Sequence, residues 1–544
     1  MLGSRASALA RGRGVHLGAL TAVLADRYGD RPAGEDPGRT PGLDHGPVRT
    51  HHHLEDAVAR LAGALEARGR ASAGGRVLVV VDNRIDVALH AFAVARLGGV
   101  PALANHRLTA RELQAIIDAT GATAAIADAD VADRLPGSLA TVTTEELGED
   151  LRRRPDRRID AHDRGDPDEV AALLTTSGTT GVPKAAALTS RGLLSSLGRL
   201  TLVPVGHARG PRAGRDRVFA ALPLTHVMGF ATLLGALSAG VPLIRRARFR
   251  ADETLDLLER RRPNVVVAVP TMYADLEAAG AAERDLSSVQ LWVSSADAMP
   301  TDRARRFQRY GAITRVGSRG IGAAAFVDVY GMVELSGAAA VRLFPPSPIG
   351  ALPAPSFALT LPGIEVRAVD EDGHPVPYGT VGELQWRGPG VLAGYEGHEH
   401  DGHTESGWFS SGDHARIWPG GLFQFAGRSR DRLKVGGFSV FPAEVEEELR
   451  DAPGIADVAV VGVPDDRLGD RLVAVVVPDR GFDARAFLAW TKDATAGYRR
   501  PSEVIEVDEL PRGPHGKVDR AAATDVALRE LGFDGGPDEP GRVT

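Results

Sequence analysis

Cysteine is absent from the 544-residue chain, and this absence excludes several kinds of chemistry. Without cysteine there is no disulfide framework, no thiolate nucleophile and no thiolate-ligated metal. Such a composition is typical of a cytoplasmic protein, and we expect that location. An excess of positive charge is also lacking, because the formal net charge is −7. We therefore expect no nucleic-acid partner, since no basic field would attract a polyanion.

Long apolar runs are missing too. The stretch over residues 17–24 is short and is followed by Asp26 and Arg27, so it predicts neither a secretory signal nor a membrane span. Aromatic residues make up 5% of the chain, but hydrophobic residues reach 43% and charged residues 25%. This balance supplies enough apolar material for large cores. The length exceeds that of one compact core and predicts two or more domains.

Lysine is scarce, although basic residues are not. Only four of the 64 basic residues are lysine, and they are Lys184, Lys434, Lys492 and Lys517. A slim ammonium cannot be exchanged for a planar guanidinium where a single phosphate or carboxylate oxygen must be contacted. All except Lys492 lie in glycine-marked segments, which indicates phosphate chemistry. Lys492 lies on the polar side of a predicted helix and is interpreted as surface charge.

Helix-like and strand-like stretches alternate through most of the chain. Buried-strand runs, mostly followed by helical patterns, lie at residues 76–81, 124–127, 170–174, 218–222, 265–269 and 291–293. This alternation predicts an α/β fold with layered subdomains and largely parallel sheets. Beyond about residue 340, frequent proline and glycine and short strands predict a β-rich subdomain. We predict a large N-terminal domain over residues 1–429 and a small α+β C-terminal domain over residues 430–544.

A glycine- and hydroxyl-rich segment over residues 175–184 follows one of the buried-strand runs. Its backbone N–H groups and side chains can surround phosphate oxygens while Lys184 supplies positive charge. It is not a Walker loop, because Pro183 precedes the lysine and Ala185 follows it. The segment therefore predicts a nucleotide-phosphate loop of another type.

This segment resembles the phosphate loop of adenylate-forming enzymes, the superfamily of acyl-CoA synthetases, peptide-synthetase adenylation domains and luciferases. Five further segments match that superfamily in the same order, at residues 223–226, 328–334, 411–413, 427–437 and 510–517. Several independent motifs in one order are a specific signature. The resemblance extends over most of the chain and implies that the small C-terminal domain is a mobile lid.

The resemblance implies a role for each matched residue. The β- and γ-phosphates would be held by Thr176, Ser177, Gly178, Thr179, Thr180 and Lys184, the adenine by Tyr330 and Gly331, and the ribose by Asp413 and Arg428. Glu334 would bind Mg²⁺, and Lys517 would bridge the substrate carboxylate and the α-phosphate. The acyl pocket would be lined by His226, Met228, Gly229, Phe230 and Gly337, the hinge would be Arg430, and the thiol step would use Lys434, Gly436 and Gly437. The predicted catalytic residues are Lys517, Glu334, Lys434 and His226.

The implied activity is ATP-dependent activation of a carboxylic acid. A carboxylate and a triphosphate repel each other, so their reaction needs fixed cations, Mg²⁺ and positioned amides. The first half reaction forms acyl-AMP and releases pyrophosphate. The second passes the acyl group to a thiol, and CoA is favoured over another pantetheine thiol. Small residues in the acyl segments predict a bulky, apolar acid, although they could instead serve close packing.

Two alternatives stay open at this point. An acyl-AMP ligase would pass its adenylate to a separate carrier protein or partner enzyme. A degenerate nucleotide-binding protein is suggested by Val333, which replaces the hydroxyl residue that the superfamily usually has before the acidic magnesium ligand. A second departure lies in residues 294–300, where Ala298 stands in place of the proline of a glycine-rich adenine loop.

Overall fold

The computed structural model describes residues 14–38, 40–43, 46–161, 165–177, 183–200, 212–316, 319–345, 357–397, 402–404, 406–435, 438–450, 452–465, 467–495, 497–512 and 518–533. The chain divides into two compact units. The large unit comprises residues 1–366 and 386–409, and the small unit comprises residues 367–385 and 410–544. That division rests on compactness, whereas the boundary predicted between residues 429 and 430 concerns the pivot of a lid and stays a prediction.

The α-helices follow one another along both units. They are α1 Leu20–Tyr28, α2 His51–Ala67, α3 Asp86–Arg96, α4 Ala110–Thr120, α5 Ala129–Ala132, α6 Thr144–Arg153, α7 Ser190–Leu200, α8 Val227–Ala239, α9 Ala251–Arg261, α10 Pro270–Ala278, α11 Thr301–Tyr310, α12 Pro442–Leu449, α13 Ala484–Ala494 and α14 Arg520–Glu530. Capping residues explain where a helix begins and ends. Helix α4 begins after Thr109, whose hydroxyl accepts a hydrogen bond from the N–H of Glu112, and it ends at Gly121 with a φ of 63°.

The strands lie between these helices. They are β1 Pro32–Glu35, β2 Val48–Thr50, β3 Arg76–Val80, β4 Val100–Leu103, β5 Ala124–Ala127, β6 Ala140–Thr143, β7 Val170–Ser177, β8 Pro183–Thr189, β9 Val218–Ala220, β10 Leu243–Arg245, β11 Val265–Ala268, β12 Leu291–Ser295, β13 Thr314–Val316, β14 Arg319–Ile321, β15 Ala325–Met332, β16 Gly337–Phe344, β17 Ala358–Thr360, β18 Glu365–Val369, β19 Val381–Arg387, β20 Gly394–Tyr395, β21 Phe409–Trp418, β22 Leu422–Arg428, β23 Leu433–Val435, β24 Phe438–Val440, β25 Ile455–Asp465, β26 Gly469–Pro478 and β27 Glu503–Glu506. The predicted α/β alternation is confirmed.

Two sheets organise the large unit. One has the strand order β20-β8-β7-β4-β3-β5-β6, and the other contains the run β17-β16-β15-β12-β11-β9-β10-β1-β2. Central strands pair in parallel, as β11 does with β12 and β12 with β15. Parallel strands covered on both faces need continuous apolar sequence, which explains the buried runs seen in the chain. The pairs β7–β8 and β15–β16 are antiparallel and carry candidate site residues.

An aromatic cluster forms part of the core beside β11, β12 and β15. The rings of Tyr273, Trp292 and Phe307 are fully buried and meet edge to face, with centroids 4.7 to 6.1 Å apart. The Tyr273 hydroxyl donates a hydrogen bond to the carbonyl of Val293 at 2.9 Å, so its polar end is satisfied. This cluster packs the helices that carry Tyr273 and Phe307 against the strand that carries Trp292.

The small unit contains an antiparallel hairpin of β25 and β26, with β27 parallel to β26. Side chains alternate across this sheet with the period of two that a strand requires. Val460 packs into a cluster with Val445 and Phe487 of α12 and α13. Val461 packs on the opposite face, in a cluster with Ala523 of α14. Helices thus cover both faces of the sheet.

Among the described residues, no helix has both the length and the apolar character that crossing a bilayer would require.

Candidate active site

The predicted phosphate loop connects two antiparallel strands of the large unit. Thr176 on β7 lies opposite Lys184 on β8, and Ser177 lies opposite Pro183. The buried strands therefore bring the two ends of the loop together and place Thr176 beside the lysine. The remaining predicted phosphate contacts, Gly178, Thr179 and Thr180, lie outside the described residues.

Glu334, the predicted magnesium ligand, lies in a buried turn after β15. Glu334 is 9% exposed, and its Oε1 accepts a hydrogen bond from the hydroxyl of Tyr395 at 2.8 Å. Ser336 follows at a φ of 55°, the left-handed region that few residues other than glycine adopt. A strained, buried turn with one polar side chain directed to a partner is typical of functional positions.

Tyr395 also contacts the phosphate-loop lysine. The Nζ of Lys184 lies 5.3 Å from the centroid of the Tyr395 ring, within cation–π distance. One tyrosine therefore links Lys184 to Glu334. The sequence motifs did not include Tyr395, and its signal was weak. It is one of seven tyrosines and closes a segment rich in proline and glycine.

Tyr330, predicted to stack on adenine, is fixed by another aromatic residue. Its ring stacks on Trp386 with centroids 5.5 Å apart and an interplanar angle of 23°. The next residue, Gly331, follows a β-bulge and pairs with Ala338 on β16. A Cβ on Gly331 would lie 1.9 Å from the Gly337 carbonyl oxygen, so only glycine fits there. The contact of either residue with adenine stays a prediction.

The segment over residues 294–300, compared above with an adenine loop, contains a residue in a strained conformation. Ala296 has a φ of 77°, in the left-handed region. The segment is anchored at Met299, whose N–H donates to the Asp328 carboxylate at 3.2 Å. Burial raises the pKa of Asp328, and Arg342, at 2.9 Å, opposes that shift. The fold holds this loop in the bend that its sequence disfavours.

His226 is exposed and immediately precedes helix α8. The loop before it is anchored by a buried side chain, because the N–H of Leu224 donates to Asn83 Oδ1 at 3.0 Å. Arg245 donates to the same Asn83 oxygen at 2.9 Å and pairs with Asp36 at 2.8 Å, and all three side chains are buried. A buried polar network that satisfies its own members rigidifies the element it supports. The loop that carries His226 is therefore held in place by a network that includes Asn83, a residue remote from it in the sequence.

The residues predicted to line the acyl pocket have different surroundings. A Cβ on Gly229 would lie 2.0 Å from the Pro223 carbonyl oxygen, so this glycine serves close backbone packing. Phe230 is fully buried, with its ring 6.3 Å from that of Phe92. Met228 is half-buried. Gly337 has a φ of 112°, and a Cβ there would meet only side chains, at 3.3 Å or more. The pocket itself stays a prediction.

In the small unit, Asp413 and Arg428 are brought together. They lie opposite each other on β21 and β22, and Arg428 Nε is 3.1 Å from Asp413 Oδ1. The Asp413 side chain is 3% exposed, whereas that of Arg428 is 42% exposed. A buried carboxylate paired with a partly exposed guanidinium suits two neighbouring hydroxyls, as the predicted ribose contact requires.

Arg430, the predicted hinge, lies in a 3₁₀ turn over Ser429–Asp431. Its side chain is 56% exposed, and its Nε lies 3.6 Å from the carboxylate of Asp431, the next residue. Lys434 follows on β23 with an exposed side chain, and its N–H donates to Asp470 at 2.7 Å. The predicted thiol-channel residues Gly436 and Gly437 and the predicted catalytic Lys517 lie outside the described residues. The roles of all five stay predictions.

Comparison with known proteins identifies the family. The chain matches the AMP-binding enzyme family over residues 23–396 and the C-terminal domain of AMP-binding enzymes over residues 444–517. It is 33% identical over 488 residues to a feruloyl-CoA synthase of Amycolatopsis sp, covering 87% of this chain and 93% of that one. It is 32% identical over 525 residues to an indoleacetate–CoA ligase of Aromatoleum aromaticum, covering 92% and 98% of the two chains.

A solved structure agrees. The ATP-bound MatB of Rhodopseudomonas palustris is 27% identical and matches with a TM-score of 0.73 over 94% of this chain and 99% of that chain. The relatives and this structure extend over nearly the whole length of the chain. The chain therefore belongs to the AMP-binding enzyme family and, within the adenylate-forming superfamily, to the acyl-CoA synthetases.

Proposed function

We propose that this protein activates an aromatic or otherwise bulky apolar acid with ATP and transfers the acyl group to CoA. The observation that carries the proposal is that Thr176 lies opposite Lys184, and that Tyr395 contacts both Lys184 and Glu334. Cation, hydroxyl and carboxylate are the groups that a magnesium-bound triphosphate requires. ATP, Mg²⁺ and CoA are the cofactors of this family.

Glu334 fits a magnesium ligand by its chemistry. Mg²⁺ prefers carboxylate oxygens and phosphates, and among the described residues the hydrogen bond to the Glu334 carboxylate comes from the Tyr395 hydroxyl. The ion would neutralise charge on the phosphates when bound. Lys184 would add a second positive charge at the phosphate loop, so that the substrate carboxylate can approach.

Each of the remaining residues would act in one or both half reactions. Asp413 and Arg428 would hold the ribose in both, since ATP and acyl-AMP share it. Lys517 would meet the charge that develops at the α-phosphate during adenylation. A change of lid orientation at Arg430 would then withdraw that lysine and bring the thiol segment around Gly437 into use.

The substrate class is inferred from relatives and from chemistry. Feruloyl-CoA synthase and indoleacetate–CoA ligase both act on aryl acids, as their names state. Each buried CH₂ adds about 0.8 kcal/mol of binding, so a hydrophobic pocket favours a large acid over acetate by orders of magnitude. Because Gly229 serves packing and side chains already lie within 4 Å of the Cβ position at Gly337, the space for the acid would come from other residues.

Pyrophosphate exchange with acetate, a medium-chain acid, an aryl acid and a polycyclic acid tests the proposal. We expect the aryl acid to give the highest kcat/KM and CoA to yield the corresponding thioester. Preference for acetate would contradict the bulky substrate. Exchange without thioester formation would favour the alternative acyl-AMP ligase, which uses a separate carrier protein or partner enzyme. Absence of exchange with every acid would favour a degenerate nucleotide-binding protein.

A cytoplasmic location belongs to the same proposal and rests on the cysteine-free composition.

A further inference from the structure

Tyr395 contacts both Glu334 and Lys184 although no motif singled it out. Its hydroxyl donates to Glu334 Oε1 at 2.8 Å, and its ring lies 5.3 Å from the Lys184 ammonium. The two partners lie on separate elements, the turn after β15 and strand β8. One side chain therefore touches both charged groups that are predicted to meet the nucleotide.

Tyr395 is itself held firmly by the backbone. It pairs with Ala186 across β20 and β8, and the N–H of the next residue, Glu396, donates to the carbonyl of Ala185 at 2.9 Å. The Glu396 carboxylate pairs with Arg76 on β3 at 2.6 Å. These contacts fix the position of the Tyr395 Cα without using its ring or hydroxyl. A change of the side chain should therefore leave the strand in place.

The backbone of Glu334 is likewise fixed without help from Tyr395. The N–H of Leu392 donates to the Glu334 carbonyl at 2.8 Å, and the turn is closed by the N–H of Ser336 donating to Val333 at 2.8 Å. The orientation of the carboxylate is a separate matter. Among the described residues, the hydrogen bond to this carboxylate comes from Tyr395.

We propose that Tyr395 is a positioning residue that orients Glu334 for Mg²⁺ through its hydroxyl and holds Lys184 at the phosphate loop through its ring. Hydrogen bonds to a metal-binding carboxylate keep it in the orientation that the metal needs, and their loss typically lowers metal affinity about 10- to 100-fold. The inference rests on the proposed function, because it assigns Glu334 to Mg²⁺ and Lys184 to phosphate.

Two substitutions separate the two contacts. Tyr395→Phe removes the hydroxyl and keeps the ring, so the Mg²⁺ concentration for half-maximal nucleotide binding should rise about 10-fold or more, with little change in affinity at saturating Mg²⁺. Tyr395→Leu removes the ring as well, so affinity at saturating Mg²⁺ should also fall by roughly 2- to 30-fold. The measurement is calorimetric titration with α,β-methylene-ATP at a series of Mg²⁺ concentrations, which requires no turnover.

Tyr310→Phe is the matched control. Tyr310 lies at the end of α11 against Phe307, and loss of its hydroxyl should leave the Mg²⁺ dependence unchanged. A double substitution sharpens the test: in a Glu334→Gln background, Tyr395→Phe should add no further shift, because the hydroxyl acts through the carboxylate. Equal Mg²⁺ dependence of Tyr395→Phe and wild type would overturn the proposal, as would an equal shift in Tyr310→Phe. So would a full additional shift in the Glu334→Gln background.

Failure of this inference can be told from failure of the proposed function. If the wild-type protein binds the nucleotide with Mg²⁺ and exchanges pyrophosphate while Tyr395→Phe behaves identically, only the role of Tyr395 is lost. If the wild type exchanges no pyrophosphate with any acid, the proposed function is lost. The effect of Tyr395 on nucleotide binding then still decides the positioning role.

Discussion

The large and small units hold their candidate site residues in different ways. Glu334 in the large unit lies in a buried turn, and its partner Tyr395 is 61 positions away in the sequence. Arg430 in the small unit is exposed, and its ion partner is its own neighbour, Asp431, at 3.6 Å. A residue held by distant elements keeps its position as long as the sheet does. A residue held by its neighbour moves with its own turn.

This difference bears on the predicted hinge at Arg430. Hinges are a few terminal or loop residues that absorb changes in φ and ψ, and the 3₁₀ turn over Ser429–Asp431 has that character. Asp413 and Arg428, just before it, are an exception within the small unit, because a strand pair and a 3.1 Å ion pair fix them. The lid pivot at Arg430 stays a prediction, which the local geometry of this turn favours.

The largest expected effect is that of Lys517→Ala, which tests whether the two half reactions are separable. Adenylation places new charge beside this lysine and thioester formation does not. Pyrophosphate exchange should therefore fall about 100- to 1000-fold, while thioester formation from supplied acyl-AMP is retained. Lys492→Ala is the control, since Lys492 is exposed on α13 and should alter neither reaction. Equal, severe losses in both half reactions would refute the assignment.

Arg430→Pro tests the predicted hinge and, with it, the contrast between the two units. Proline fixes φ at position 430 and disfavours the helical conformation of Ser429, so the segment can no longer sample two orientations. We expect one half reaction to fall about tenfold or more and the other to persist. Arg430→Ala, which leaves the backbone free, should retain both. Normal overall turnover of the proline variant would place the pivot elsewhere.

Asp413→Asn tests the exception within the small unit. Removing the charge weakens the ion pair with Arg428 and the grip on the ribose, so KM for ATP should rise about tenfold. Both half reactions should suffer, since the ribose is bound in each. Glu371→Gln removes an exposed carboxylate that pairs with Arg432 and should leave KM unchanged. A loss restricted to one half reaction would show that Asp413 moves with the lid.

Ala296→Gly has the smallest expected effect. It tests whether the large unit holds the segment over residues 294–300 in a strained conformation. Ala296 has a left-handed φ of 77°, which glycine adopts without a Cβ clash. The free energy of unfolding should rise by about 0.5–1 kcal/mol, measured by urea denaturation. Ala298→Gly, at a position without a left-handed φ, should instead lower it. A fall for Ala296→Gly would mean that the loop is unstrained in solution.

Some of the site could be predicted because its parts are close in sequence. Thr176 and Lys184 flank one loop, and Asp413 and Arg428 flank one hairpin, so a motif that fixes the turn also fixes the pair. Tyr395 could not be predicted in this way. It reaches Glu334 and Lys184 only because β20 pairs with β8, and no local pattern specifies that pairing.

Glycine residues show the same limit. In the sequence, Gly229 and Gly337 both indicated space beside an acyl group. The fold uses neither as open space, because a Cβ on Gly229 would lie 2.0 Å from the Pro223 carbonyl oxygen, and one on Gly337, at a φ of 112°, would lie 3.3 to 3.7 Å from three side chains. A small residue permits either an open volume or a close backbone approach, and the distance to the neighbouring element decides between them.

The sequence by itself determined the α/β class, the family and the kind of chemistry. These depend on periodicity and on short motifs, which can be recognised without knowing which distant residues meet. Only the tertiary structure decided which side chains meet. The Tyr395 link between Lys184 and Glu334 and the buried Asn83 and Arg245 support below His226 join residues that are dozens to hundreds of positions apart. Contacts of that kind arise from strand order and sheet packing, which distribute their information over the whole chain.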